Sequence, residues 1–118
     1  LRLASDADVH GDLIRGLRLR EPNLDLVRSE DVLPEGTPDP QVLSWAAGEH
    51  RVLISYDRNT MTGFAFERVA ADLHCPGVII ATLTQSIGDT IDDILFTAEV
   101  LSEEEMRNRI LVFLPVRE

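Results

Sequence analysis

The sequence contains no lysine, a single cysteine, and no apolar run near the roughly 18 residues that a membrane-spanning helix needs. One cysteine, Cys75, excludes an intramolecular disulfide and suits a reducing compartment. Without an apolar run or an N-terminal leader pattern, the expectation is a soluble, cytoplasmic protein with no membrane contact. All 11 basic residues are arginine, against 21 acidic ones, giving a net charge of −10. That balance argues against nonspecific binding to polyphosphate, whose affinity comes mainly from neutralised phosphates. It suits a metal site or a basic partner better. Repeats, linkers and low-complexity stretches are lacking too. His10, His50 and His74 show no ligand spacing and are expected at the surface. Cys75, before Pro76-Gly77, has no evident base partner and reads as a small hydrophobe.

The 118 residues fit one domain, spanning 1–118, and 44% hydrophobic with 27% charged residues is ordinary globular composition. A chain of this size buries roughly two-thirds of its unfolded surface, enough for a core without staples. Short apolar runs alternate with amphipathic stretches. Leu1–Ala4 reads as a strand ending at Ser5 and Asp6. Asp8 can cap a helix carrying Leu13, Ile14 and Leu17, which Pro22-Asn23 breaks. Leu24–Val27 reads as a second strand, and Ser29–Pro38 as a loop rich in proline, glycine and acid. Asp39-Pro40 opens a helix with Asp39 as its cap, burying Val42, Leu43, Trp45 and Ala46. Val52–Ile54 is a continuous apolar strand covered on both faces. A helix follows from Thr60 through Leu73, packing Phe64, Val69 and Leu73. Val78–Ala81 is a strand, and Ile87–Leu101 a helix carrying Ile91, Ile94, Leu95 and Ala98. Leu111–Leu114 closes the sheet. Asp92-Asp93 and Glu103-Glu104-Glu105 read as a solvated helix face and terminus.

This alternation predicts an α/β domain built from right-handed βαβ units. The expected form is a doubly wound, five-stranded parallel sheet of order 2-1-3-4-5 with helices on both faces. In that order the first and third strands are neighbours, and ligands bind beyond the carboxyl ends at the switch point between them. Asp6 and Asp57 fall at those two ends. Carboxylates crowded into a crevice repel unless a cation or proton intervenes. Mg²⁺ and Mn²⁺ are hard ions that take carboxylate and water ligands. Asp6, Asp8, Asp39 and Asp57 are therefore the candidate ligands. Asp39 and Asp8 also serve as helix caps, whereas Asp6 and Asp57 have little evident structural work. On that reading Asp57→Asn leaves the metal-free fold as stable as before, or slightly more so.

The opening Ala4-Ser5-Asp6-Ala7-Asp8, the stretch Gly36–Ala46, and Arg51–Met61 stand in a fixed order. With Pro76-Gly77-Val78 and the acidic helix around Ile91-Asp92-Asp93-Ile94, they cover nearly the whole chain. Together they resemble short single-domain bacterial PIN-like proteins. PIN domains are metal-dependent ribonucleases, and many are toxins of toxin–antitoxin pairs such as the VapC group. The resemblance implies that Asp6 matches the acid of the first strand and Asp39 the acid opening the central helix. Asp57 matches the acid after the third strand, giving catalytic and metal roles to Asp6, Asp39 and Asp57 with Mg²⁺ or Mn²⁺. Ser55 takes a hydroxyl position that supports metal-bound water. Asn59 stands where the family has a further aspartate; it offers an oxygen but no charge. The resemblance also implies an RNA substrate, an antitoxin protein as partner, and a homodimer.

Two other classes share parts of the pattern. A phosphoacceptor receiver domain has the same sheet order, and Asp6, Asp8 and Asp57 suit it. It also needs a lysine after the fifth strand, where this chain has only Arg117. A non-catalytic PIN-like binding module suits Asn59 and the net charge. Arg15, Arg18 and Arg20 are the nearest local source of positive charge, either guiding RNA or closing a solvated helix end.

Overall fold

The computed structural model describes residues 1–116, so Arg117 lies outside the described residues. The strands are short and apolar, and the most central, β3 (Val52–Ser55), is buried at every position. Around it lie β1 (Leu3–Ser5), β2 (Leu26–Arg28), β4 (Val78–Ile80) and β5 (Leu111–Phe113). All pairings are parallel and the order is β2-β1-β3-β4-β5, the doubly wound arrangement expected from the alternation. The register sets Ser5 of β1 opposite Ile54 of β3, so Asp6 and Asp57 leave the sheet at the same edge.

Parallel strands need helical crossovers, and here these cover both faces. On one face α1 (Gly11–Arg20) and α4 (Ile87–Val100) bury Leu13, Ile14, Leu17, Ile91 and Ile94 against Leu3, Val52, Ile54 and Ile79. On the other, α2 (Asp39–Gly48) and α3 (Thr60–Ala70) bury Val42, Leu43, Ala46, Met61 and Ala65 against Ala4, Leu53, Val78 and Ile80. Gly16 permits the close approach of α1 and α4, because a Cβ there would lie against the Ile91 side chain. No helix among the described residues is long and apolar enough to cross a membrane.

Several local expectations need correction. Helix α1 begins at Gly11, and His10 caps it by accepting the Asp12 N–H at Nδ1, so Asp8 is not the cap. Asp39 is the first helical residue of α2, with Pro38 in the capping position, and no side chain caps that end. Both first strands start two residues later than their apolar runs suggest. Helix α3 stops at Ala70, leaving Val69 and Leu73 exposed; Met61 and Ala65 fill their place. Trp45 is only half-buried, and Ala47 is buried instead. In α4, Thr90 and Thr97 join Ile91 and Ile94 in the core while Leu95 and Ala98 are half-buried. The acidic run Glu103–Glu105 opens a separate helix, α5 (Glu103–Arg109), with a capping box between Ser102 and Glu105. His74 is half-buried, its ring 5.0 Å from that of His50, and burial holds its pKa below the ordinary value.

Candidate functional site

Asp6 follows the last residue of β1 and is 4% exposed. Its Oδ1 accepts the Ala7 N–H at 2.7 Å and its Oδ2 accepts the Ser55 hydroxyl at 3.2 Å. Ser55 ends β3 on the neighbouring strand and its Oγ also accepts the Asp57 N–H at 3.0 Å. One hydroxyl thus ties together the two strand-end acids, which explains why that position needs a small hydroxyl side chain. The Asp6 carboxyl is held above its ordinary value, first by burial and then by the negative charge of Asp39, despite the Ala7 and Ser55 hydrogen bonds.

Asp39 enters from the start of α2 and acts as the hub of the acidic group. Burial raises its pKa first, followed by the charge and shared hydrogen bond of Asp57 and then the charge of Asp8. Asp57 moves the other way. Hydrogen bonds from Thr60 lower its pKa, the side chain before the backbone, with Asn59 N–H and Asp39 contributing. Asp57 Oδ1 accepts the N–H groups of Asn59 and Thr60 at 3.2 and 3.0 Å, and Oδ2 accepts the Thr60 hydroxyl. These bonds close the turn into α3, so the ionised Asp57 stabilises the fold. That is opposite to the expectation that Asp57 has little structural work and that losing its charge is harmless.

A cleft of about 710 Å³ opens beside this group, lined by Asp6, Asp8 and Asp39 with Glu30, Glu35 and Ser29 among others. Ser55, Asp57 and Asn59 do not line it. Asp57 reaches the cleft only through Asp39. Asn59 stands exposed at the start of α3 with no capping bond from its side chain. Glu30 and Glu35 were not among the candidates, nor was Thr60, although its hydroxyl and its N–H both donate to Asp57. The i to i+3 spacing of Asp57 and Thr60 is the signal that marks the last. The arginines of α1 lie elsewhere. Arg15 pairs with Asp12, Arg20 with Asp92, and Arg18 donates to the Leu26 carbonyl at 3.1 Å, toward the amino end of β2.

Among the described residues, no three His, Cys, Asp or Glu side chains converge as a ready-made metal cage. The donor chemistry nevertheless fits a hard cation. Asp6 and Asp39 share one cleft wall, both are carboxylates of raised pKa, and no cation among the described residues offsets them. Mg²⁺ in particular needs only one or two protein carboxylates and keeps water for its remaining positions. No family model, curated protein or solved structure matches the chain.

Proposed function

We propose that this chain is a Mg²⁺- or Mn²⁺-dependent ribonuclease of the PIN-like class, acting on RNA at the acidic rim. The observation that carries this reading is the gathering of Asp6, Asp39 and Asp57 from β1, α2 and β3 at one switch point, with Asp6 and Asp39 held above their ordinary pKa. Ionised together, Asp6 and Asp39 oppose folding unless a ligand uses their charge. Asp6 and Asp39 would hold the ion, with Asp57 beside Asp39. When bound, the ion supplies Lewis-acid stabilisation of phosphoryl oxygens and a more acidic water. The chain's own part is positional. Ser55 fixes Asp6, and Thr60 fixes Asp57.

By the same resemblance the chain is the toxin of a toxin–antitoxin pair, working in the cytoplasm and able to form a homodimer. The net charge of −10 supports a basic antitoxin laid over the rim. Cleavage of mixed-sequence single-stranded RNA with Mn²⁺, alongside Mn²⁺ calorimetry, tests the nuclease reading. Asp39→Asn is expected to lower the rate on the order of a hundredfold or more and to weaken Mn²⁺ binding. Wild-type cleavage by Asp39→Asn ends it.

A second reading, a non-catalytic binding module, is favoured by Asn59 and by the hydrogen bonds that occupy both Asp57 oxygens. It predicts neither metal binding nor cleavage by wild type. A receiver would instead take a phosphoryl group from a small phosphodonor, but the chain has no lysine to pair with it.

A further inference from the structure

The carboxyl edge of the sheet has a second, less acidic half. Beyond β3, β4 and β5 lies a shallow pocket of about 250 Å³, lined by Tyr56, Arg58, Thr82, Leu83, Thr84 and Phe113 among others. The Arg58 guanidinium sits over the Phe113 ring, 4.9 Å from its centroid. Phe113 is 42% exposed and Leu83 86% exposed, so apolar surface faces water at the pocket mouth. The Thr82 and Thr84 hydroxyls stand 3.1 Å apart beside it. Among the described residues Arg58 has no carboxylate partner, unlike Arg15, Arg20 and Arg28, which are each paired with an acid.

We propose that this pocket is a subsite for one nucleotide of a single-stranded RNA whose backbone continues past Asp57 into the acidic cleft. The proposal rests on the ribonuclease reading of that cleft. A planar guanidinium stacked on an aromatic ring offers a platform for a base, and its fork can also take a phosphate in two hydrogen bonds. Threonine hydroxyls can meet base edges or a 2′-hydroxyl, the groups that distinguish an RNA nucleotide. Charge alone cannot bring RNA to a chain of net −10, so stacking must supply most of the affinity. Tyr56 and Arg58 flank Asp57 in the chain, which places platform and acid on one turn.

The test is fluorescence anisotropy of a dye-labelled oligouridine hexamer in EDTA, where no cleavage can occur. Phe113→Leu keeps apolar bulk but removes the ring; Arg58→Gln removes the fork from an exposed position. Each is expected to weaken binding about fivefold or more. Arg20→Gln, on α1, is expected to change nothing. With one phosphate neutralised, log K should fall with log salt at a slope of about −0.7, and Arg58→Gln should flatten it. Melting temperature is followed in parallel. If Phe113→Leu melts early, Arg58→Gln and Arg58→Lys carry the comparison. Unchanged affinity in both variants, or no binding by wild type, overturns the subsite. A separate cleavage assay with Mn²⁺ keeps the two readings apart. Weakened binding in the variants without cleavage by any protein upholds the subsite and removes the nuclease. Cleavage at limiting RNA that is equal in wild type and both variants does the opposite.

Discussion

The two edges of the same sheet hold carboxylates in opposite circumstances. At the amino edge Asp25 lies beside two arginines. The buried Arg51 donates to Asp25 at 2.6 Å and to the Leu3 carbonyl at 3.2 Å, and Arg2 stands 3.4 Å from the same carboxylate. The Arg51 hydrogen bond holds Asp25 below its ordinary pKa. At the carboxyl edge burial, and after it the neighbouring acids, raise the pKa values of Asp6 and Asp39. The residue type is the same throughout. The difference lies in burial and in what folding sets beside each group: an arginine for Asp25, other carboxylates for Asp6 and Asp39, and the Thr60 hydrogen bonds that lower Asp57 at that same edge.

The comparison is broken most severely at the amino edge. Asp25→Ala strands a guanidinium that is only 6% exposed, with the Leu3 carbonyl and Glu49, 3.6 Å from Arg51 Nε, as its remaining partners. Removing one partner of a fully buried pair destabilises on the order of 3 kcal/mol; the Asp25 side chain is 50% exposed and Arg51 keeps other partners, so the loss here falls below that figure. Urea denaturation reads it directly. A loss within experimental error would show that Arg51 is held by backbone alone.

The carboxyl edge should respond with the opposite sign. Asp6→Asn keeps an acceptor for the Ala7 N–H and removes a buried charge that its neighbours oppose. In the metal-free protein it is expected to raise stability by roughly 0.5–2 kcal/mol, the usual yield of relieving an unfavourable charge. Added Mn²⁺ should stabilise wild type and leave the variant nearly unchanged, since an ion bound only to the folded state stabilises it by mass action. If Asp6→Asn lowers the urea midpoint without metal, Asp6 belongs to the scaffold and the contrast between the edges disappears.

The sheet order and the shared edge of Asp6 and Asp57 were legible because runs such as Val52–Ile54 and Val78–Ile80 separate cleanly from helical periodicity. Helix α5 was not legible from periodicity, since only Met106 among its residues is buried; Ser102 and Glu105 were the available signal. Asp57 was misread for a different reason. Its residue type suits both a ligand and a turn, and only the backbone path into α3 shows that Asn59 and Thr60 turn their N–H groups toward it. The cleft wall formed by Glu30 and Glu35 was hidden because the single 3₁₀ turn Ser29–Asp31 and the loop after it carry no periodicity that fixes where their side chains face.

The two edges should also separate by pH, in adjoining windows and with opposite sign. Asp25, lowered from 3.8, binds its proton less readily in the folded state than in the unfolded one. Its contribution is present above 3.8 and is lost as pH falls through the lower, folded value. Asp6 and Asp39, raised from 3.8, bind protons more readily when folded. Ionising them therefore opposes folding at neutral pH, and the penalty is relieved as pH falls through their raised values toward 3.8. Metal-free stability should then rise modestly from neutral to mildly acidic pH before acid unfolding sets in. Asp6→Asn should flatten the upper limb and leave the lower one alone, while Asp25→Asn should flatten the lower limb. Saturating Mn²⁺ should suppress the upper limb in wild type, because a bound cation replaces the proton that those carboxyls otherwise seek. Urea midpoints measured across this range for the three proteins distinguish the contributions. An upper limb that survives Asp6→Asn undiminished would place the destabilising charge elsewhere among the 21 acids.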